Sequence, residues 1–127
     1  MSAELPAVLA AVGFLAIALF QAALALGAPF GAAAWGGAHP GPLPSKLRVA
    51  SAFAGSFWLF AALVVLERGG SEIVSLPPTL ARWGTWVLVV LLPIGAIVNF
   101  ASTSRWERFG WGPIALVLAG LCLVVAV

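Results

Sequence analysis

The sequence contains very few charged residues. Only 8% of its 127 residues are Asp, Glu, Lys or Arg, whereas 63% are hydrophobic. A soluble domain carries about 25% charged residues, so these charges are too few to cover a water-exposed globule of this size. The mean hydropathy of +1.14 indicates a chain whose surface is dissolved in the hydrocarbon of a lipid bilayer.

Cysteine and histidine each occur once, as Cys122 and His39. A single cysteine has no partner for an intrachain disulfide bond, and we expect Cys122 to be a small packing residue. One histidine without other ligands nearby predicts no metal site, and the two histidines that a bis-histidine haem needs are missing. The sequence therefore predicts no cofactor and no metal.

Runs of basic residues and catalytic constellations are also missing. The six Lys and Arg residues are scattered along the chain, so no nucleic-acid partner is expected. Glu107 with His39 is the one candidate acid–base pair, and no nucleophile stands beside a base. A membrane enzyme is accordingly the least favoured of the function classes.

Long apolar segments are what the chain has in excess. A membrane-spanning helix needs about 20 mostly apolar residues. Four segments satisfy this requirement: residues 4–26, 46–67, 80–101 and 105–127. The first resembles a signal peptide, but no Lys or Arg precedes it and its apolar run is too long, so we interpret it as a retained span. The sequence predicts an all-α, four-helix transmembrane bundle with antiparallel up-down connectivity, forming one domain over residues 1–127.

Turn-forming residues predict where three of these helices begin and end. Gly27 and the pair Gly69-Gly70 are typical of helix C-termini. Ser45 and Thr79 each follow prolines and are predicted to be N-caps, because their hydroxyl groups can accept hydrogen bonds from free backbone N–H groups.

The fourth helix begins with the pattern of a capping box. Ser104 is followed three residues later by Glu107, so each side chain can satisfy the backbone N–H of the other residue. Only residues 102–103 separate this helix from the third, which predicts an antiparallel hairpin. Pro93 and Pro113 predict bends in the third and fourth helices.

The first link, residues 27–45, reads GAPFGAAAWGGAHPGPLPS. Its glycines and prolines argue against a helix through its middle. Phe30 and Trp35 argue against a freely solvated loop. We expect this link to lie at the membrane interface and to fold back over the bundle.

The basic residues predict the orientation in the membrane. Because successive spans alternate in direction, the links at residues 27–45 and 102–104 lie on the same face. The basic residues near these two links are Lys46, Arg48, Arg105 and Arg108, and those of the other face are Arg68 and Arg82. The excess predicts that the two links are cytoplasmic and that both termini are outside.

Polar residues are concentrated toward that same face. Gln21 lies about 9 Å before the end of its helix at Gly27, and Asn99 lies just before the turn of the second hairpin. Together with the first link they define a candidate ligand-binding pocket. Its predicted residues are Gln21, Trp35, His39, Arg48, Ser51, Asn99, Ser102 and Glu107.

Two interpretations of this polar set remain open. In one, the residues line a pocket that the first link covers, because polar residues inside a bilayer often mark ligand or ion routes. In the other, Gln21 and Asn99 hydrogen-bond to each other and hold the helices together. Arg48 and Glu107 either form an ion pair or serve separately as an interfacial anchor and a helix cap.

Small residues recur at four-residue spacing, which lets helices approach each other closely. The pairs are Ser51 and Gly55, Ala52 and Ser56, Ala115 and Ala119, and Ala7 and Ala11. They favour a protein that acts through helix–helix contacts, as an accessory subunit or a homo-oligomer. Its partners would be the lipid bilayer, further copies or other membrane subunits. The alternative is a binder or transporter of a small molecule or lipid that uses the polar pocket.

Three segments carry a resemblance to a known kind of protein: QAALALGAPFGAAAWGG, LPSKLRVASAFA and NFASTSRWERFGWGPIALVLA. They resemble small, uncharacterised four-helix integral membrane proteins of bacteria, a family of the domain-of-unknown-function type. The distinctive residues are Gly27, Pro29, Gly31, Gly36, Gly37, Asn99, Ser102, Ser104, Glu107, Arg108, Trp111 and Pro113. The resemblance implies a four-span bundle in the bacterial cytoplasmic membrane and implies no activity.

Overall fold

Four long helices make up most of the computed structural model, which describes residues 2–127. The helices are α1 (Glu4–Ala25), α2 (Ser45–Arg68), α3 (Pro78–Ala101) and α4 (Gly112–Ala126). Two short 3₁₀ turns, Gly31–Ala33 and Trp35–Gly37, lie in the first link, and a π-helical segment, Glu107–Trp111, leads directly into α4. No β-strand occurs within residues 2–127. The all-α, four-helix prediction is confirmed.

Each helix is long and apolar enough to cross a membrane, if the π-helical segment is counted with α4. The hydrocarbon of a bilayer contains no water to pair with backbone N–H and C=O groups. A helix pairs these groups within itself and can therefore cross the membrane. Four such helices are typical of a multi-pass membrane protein.

Glycines end the first two helices, as the sequence predicts. Gly27 follows α1 with φ +98°, and the N–H of Ala28 donates to the carbonyl of Ala23 over 3.0 Å. This pattern is a Schellman motif, which satisfies carbonyls that the helix end leaves free. Gly70, with φ +86°, makes the same turn after α2.

The predicted N-caps of α2 and α3 are wrong by one or two residues. Ser45 is the first residue of α2 and Pro44 is its N-cap, and α3 begins at Pro78 after an N-cap at Pro77. Neither helix has a side-chain cap. Thr79 lies in the first turn of α3 because that helix begins one residue earlier. Proline has a fixed φ and lacks an N–H that the first helical turn would leave unpaired, so it suits these positions.

The predicted bend near Pro113 takes the form of the π-helical segment. The N–H of Gly112 bonds to the carbonyl of Glu107, five residues back, and Pro113 follows in the first turn of α4. The wider turn accommodates a residue that lacks an N–H and whose ring would collide with the preceding turn. By contrast, α3 continues through Pro93 without a break.

The helices form two hairpins, α1–α2 and α3–α4, and contacts of α2 with α3 and α1 with α4 close the bundle. Gly55 allows α2 to lie directly on α1, since a Cβ there would be 3.4 Å from the Ala18 carbonyl oxygen. In the core, the Phe14 and Trp58 rings stack with centroids 5.5 Å apart. Phe14 is completely buried.

We predict that Phe14→Ala destabilises the bundle by about 2 kcal/mol. This is less than the 3–5 kcal/mol typical of soluble proteins, because lipid is itself apolar and only the packing of the ring is lost. The measurement is titration of the protein in mild detergent with dodecyl sulfate, followed by circular dichroism.

The matched control is Leu15→Ala, the neighbouring residue, whose side chain is 40% exposed on the outer face. It should change the unfolding free energy by less than about 0.5 kcal/mol. Equal effects of the two substitutions would contradict the placement of the core.

Candidate functional site

The first link folds back over one end of the bundle, as expected from its aromatic residues. The N–H of Gly31 donates to the carbonyl of Gly41 over 2.9 Å, which closes the link into a compact loop. Ala34 and Leu43 are buried against Leu24 of α1 and form a second, small apolar core. The link is therefore a packed cover and not a solvated loop.

Side chains of the second hairpin hold this cover in place. The indole Nε1 of Trp111 donates to the carbonyl of Ala33 over 3.0 Å. The hydroxyl of Ser104 donates to the carbonyl of Ala32 over 2.6 Å. These bonds satisfy carbonyls of a non-helical segment near the membrane, where an unpaired backbone group is costly.

Trp35 ties the cover to α2 as well. Its indole Nε1 donates to the hydroxyl of Ser51 over 2.9 Å, and Ser51 is completely buried. Trp35 also has a φ of +49°, a conformation that costs a non-glycine residue about 1–3 kcal/mol. The hydrogen bond to Ser51 offsets part of that strain.

Glu107 joins the cover to the turn between α3 and α4. Its Oε1 accepts hydrogen bonds from the Ser102 hydroxyl at 2.5 Å and from the Gly36 N–H at 3.1 Å. One half of the predicted capping box is confirmed, since the Ser104 hydroxyl accepts from the Glu107 N–H at 3.3 Å. The other half is wrong: the Ser104 N–H donates to Ser102 Oγ, because the folded link offers the carboxylate a different N–H.

The ion pair between Arg48 and Glu107 that was one of the predicted alternatives does not form. Arg48 Nε donates instead to the carbonyl of Ala25 over 3.0 Å. Its guanidinium lies beside Gly27, where a Cβ would be 3.5 Å from the Arg48 Cζ. Arg48 thus braces the end of α1, and Glu107 binds the cover.

Beneath the cover lies a cavity of about 760 Å³. All four helices and the π-helical segment contribute to its wall. Its wall is largely apolar and aromatic and includes Ile17, Phe20, Leu47, Trp58, Leu92 and Trp111. Leu91 and Val98 of α3 also line it and are 38% and 64% exposed, so the cavity reaches the outer surface of the bundle beside α3.

The amide side chains of Gln21 and Asn99 both line this cavity. No hydrogen bond joins them, and Gln21 Oε1 is buried without a hydrogen-bond partner among the residues described. An open cavity between the two amides favours the pocket interpretation over a direct bond between helices. Burial of an unpaired amide oxygen costs free energy, but this oxygen has almost no accessible surface, so it offers no direct contact to a molecule in the cavity.

Six of the eight predicted pocket residues line the cavity: Gln21, Trp35, His39, Asn99, Ser102 and Glu107. Two do not. Ser51 lies behind Trp35 as its hydrogen-bond acceptor, and Arg48 is turned toward the end of α1.

The prediction omitted most of the apolar wall. Glu107, Trp111 and Ala115 line the cavity at four-residue spacing, and Gly95 and Asn99 do the same on α3. Residues four apart share one face of a helix, so this spacing was a usable signal. No sequence signal marked Trp58 and Leu47 as cavity residues, because an apolar residue of a helix can face either a cavity or the lipid.

A second cavity of about 440 Å³ lies on the other side of Trp111, between the cover and the start of α4. Phe30 and Trp106 contribute to its wall. The Phe20 and Trp111 rings, with centroids 5.0 Å apart, border both cavities. This pair of rings separates the two spaces.

We predict that Gly31→Ala opens the cover. A Cβ at this position would overlap the carbonyl oxygen of His39 and lie 2.6 Å from that of Gly41, so the loop must part. Amide hydrogen exchange across residues 31–41 should become about tenfold faster or more, because local opening costs less free energy.

Gly120→Ala is the control for that substitution. A Cβ at Gly120 meets no atom within 4 Å, and alanine favours the helix. Unchanged exchange in the link of the Gly31→Ala protein would contradict the packed cover.

Comparison with known proteins identifies no relative from which a function could be inferred. The chain matches no protein-family model, no curated protein and no solved structure. The resemblance to small four-helix bacterial membrane proteins stays a prediction, and the covered cavity is the basis for proposing a function.

Proposed function

We propose that this multi-pass membrane protein binds a small hydrophobic or amphipathic molecule in the covered cavity. The observation that carries the proposal is the cavity itself, whose volume is about 760 Å³. Ligand sites are typically about 300–1,000 Å³ and are mostly apolar, with a few polar groups that orient the ligand. The wall described above has this composition.

The polar groups of the cavity converge at the end nearest the cover. Gln21, Asn99, Ser102 and Glu107 all contribute to that end, whereas Trp58 and Leu92 line the deeper part. A molecule with a polar head and an apolar body fits this distribution, because each part meets groups of its own kind. Lipids and other amphiphiles have this form, and they reach the cavity from the bilayer beside α3.

The other function predicted from the sequence is contact with another chain. Three of the four small-residue pairs lie within this bundle: Ser51, Gly55, Ala7, Ala11 and Ala115 are buried, and Ala119 packs on the core. Only Ala52 and Ser56 form an exposed pair. The small residues are thus accounted for by packing inside one chain, and an accessory-subunit or homo-oligomer role stays a prediction.

We also propose that the covered end of the bundle faces the cytoplasm. Lys46, Arg48, Arg105 and Arg108 lie at this end, next to the two links that contact each other through Ser104 and Ala32. The excess of basic residues supports this orientation by the positive-inside rule. In a bacterium the membrane would be the cytoplasmic one.

We predict that Gly95→Leu prevents ligand binding in the cavity. Gly95 lines the cavity, and a Cβ there meets no atom within 4 Å, so a leucine side chain has room to begin there and extends into the cavity, and leucine favours the helix. The neutral probe triphenylphosphine oxide should bind wild-type protein in phosphatidylcholine nanodiscs, and Gly95→Leu should weaken its binding about tenfold or more. Equilibrium dialysis measures this.

Gly120→Leu is the matched control, because Gly120 also has free space around it but lies on the outer face of α4. It should leave probe binding unchanged. Absence of binding to the wild-type protein, or equal binding to both leucine variants, would contradict a ligand site in the cavity.

The orientation is tested by cysteine labelling. In a Cys122→Ala background, which removes the single native thiol, His39→Cys and Glu72→Cys place thiols at exposed positions of opposite links. A membrane-impermeant maleimide added to intact cells should label Glu72→Cys and should label His39→Cys only after permeabilisation. The reverse pattern would overturn the proposed orientation.

A further inference from the structure

We propose that the ligand of this cavity is a hydrophobic cation, whose charge is neutralised by the carboxylate of Glu107. This inference rests on the proposed function and adds to it the charge of the ligand. It follows from which ionic groups line the cavity, which hydrogen bonds they already make and what surrounds them.

Glu107 is the one carboxylate in the cavity wall, and no Lys or Arg lines it within residues 2–127. Of the three arginines close in sequence to the wall, Arg105 is exposed and the other two are bonded elsewhere. Arg48 donates to the Ala25 carbonyl, and Arg108 donates through Nε and Nη2 to the Ser102 carbonyl. His39 also lines the cavity, but it is exposed and makes no hydrogen bond or ion pair with Glu107 within residues 2–127. The carboxylate therefore has no cationic side chain beside it.

The two oxygens of Glu107 are in different situations. Oε1 accepts from the Ser102 hydroxyl and the Gly36 N–H, and these bonds fix the orientation of the carboxylate. Oε2 accepts no hydrogen bond from the part of the chain that the structure describes, and it is not sealed from its surroundings. One oxygen thus positions the group and the other is free for a ligand.

The aromatic residues of the wall also favour a positively charged ligand. Trp35, Trp58, Trp111 and Phe20 all border the cavity, and the face of an aromatic ring attracts a cation. Such contacts and the attraction of a carboxylate both strengthen where water is excluded and the effective dielectric constant is low. An anionic head would instead lie near an unbalanced negative charge, and a neutral one would leave Oε2 without a partner of opposite charge.

The test compares two probes of similar size and hydrophobicity that differ in charge. Methyltriphenylphosphonium is a cation, and triphenylphosphine oxide, which has the same three phenyl groups on phosphorus, is neutral. Binding of each is measured by equilibrium dialysis to wild-type protein in phosphatidylcholine nanodiscs, whose zwitterionic lipid adds no net surface charge. Gly95→Leu nanodiscs give the amount that dissolves in lipid. We expect the cation to bind about tenfold more tightly than the neutral probe.

Glu107→Gln removes the charge and keeps a side-chain oxygen for the Gly36 N–H. It should lower methyltriphenylphosphonium binding about tenfold and change triphenylphosphine oxide binding much less, because only the cation loses an ionic partner. The control is Glu72→Gln, which removes an exposed carboxylate in the link at the opposite end and should change neither value.

The outcomes separate this inference from the proposed function. If both probes bind equally, are blocked by Gly95→Leu and do not respond to Glu107→Gln, the cavity binds ligands but the cation preference is refuted. If neither probe binds, or Gly95→Leu has no effect, the proposed function fails and the inference with it. The ratio of the two affinities in wild-type protein decides the question even if Glu107→Gln does not fold.

Discussion

The structure of the covered end depends on hydrogen bonds to the backbone carbonyls of the first link. The first link is rich in glycine and proline and is not a regular helix, so only some of its carbonyls are bonded within the link and others need partners from outside it. They find them in side chains from the start of the second hairpin, since Trp111 and Ser104 donate to Ala33 and Ala32. Without these donors the link would expose polar backbone near the hydrocarbon, where each unpaired group is costly.

The cavity is a consequence of this attachment. The cover spans from the end of α1 to the start of α2 and is held to the π-helical segment, so it bridges the two hairpins at one end of the bundle. Beneath it, glycine at position 95 leaves space that a larger side chain would fill. The opposite half of the bundle is closed by packing around Phe14, whose ring stacks on Trp58 at the deep end of the cavity. One half of the bundle is therefore closely packed, and the other half contains the cavity.

Glu107 shows how far local sequence rules extend. Its spacing from Ser104 predicts a capping box, and the Ser104 hydroxyl does accept from the Glu107 N–H. The carboxylate, however, binds Gly36, which is 71 residues away in sequence. The same limit applies to Ser45 and Thr79, which were predicted as caps although neighbouring prolines take those positions. A local pattern states what a side chain is able to do, and the partner it meets depends on the rest of the fold.

The sequence by itself determined the number of helices and the ends of α1 and α2, because each crossing needs a run of about 20 apolar residues and glycine permits the turn after it. It also brought the polar residues to one end by their depth along each helix. Only the tertiary structure decided that Gln21 and Asn99 face an open space, that Arg48 turns away and that Trp58 lines the wall. Those outcomes depend on how neighbouring helices rotate and separate, and in lipid, where every helix face is apolar, composition does not specify that rotation.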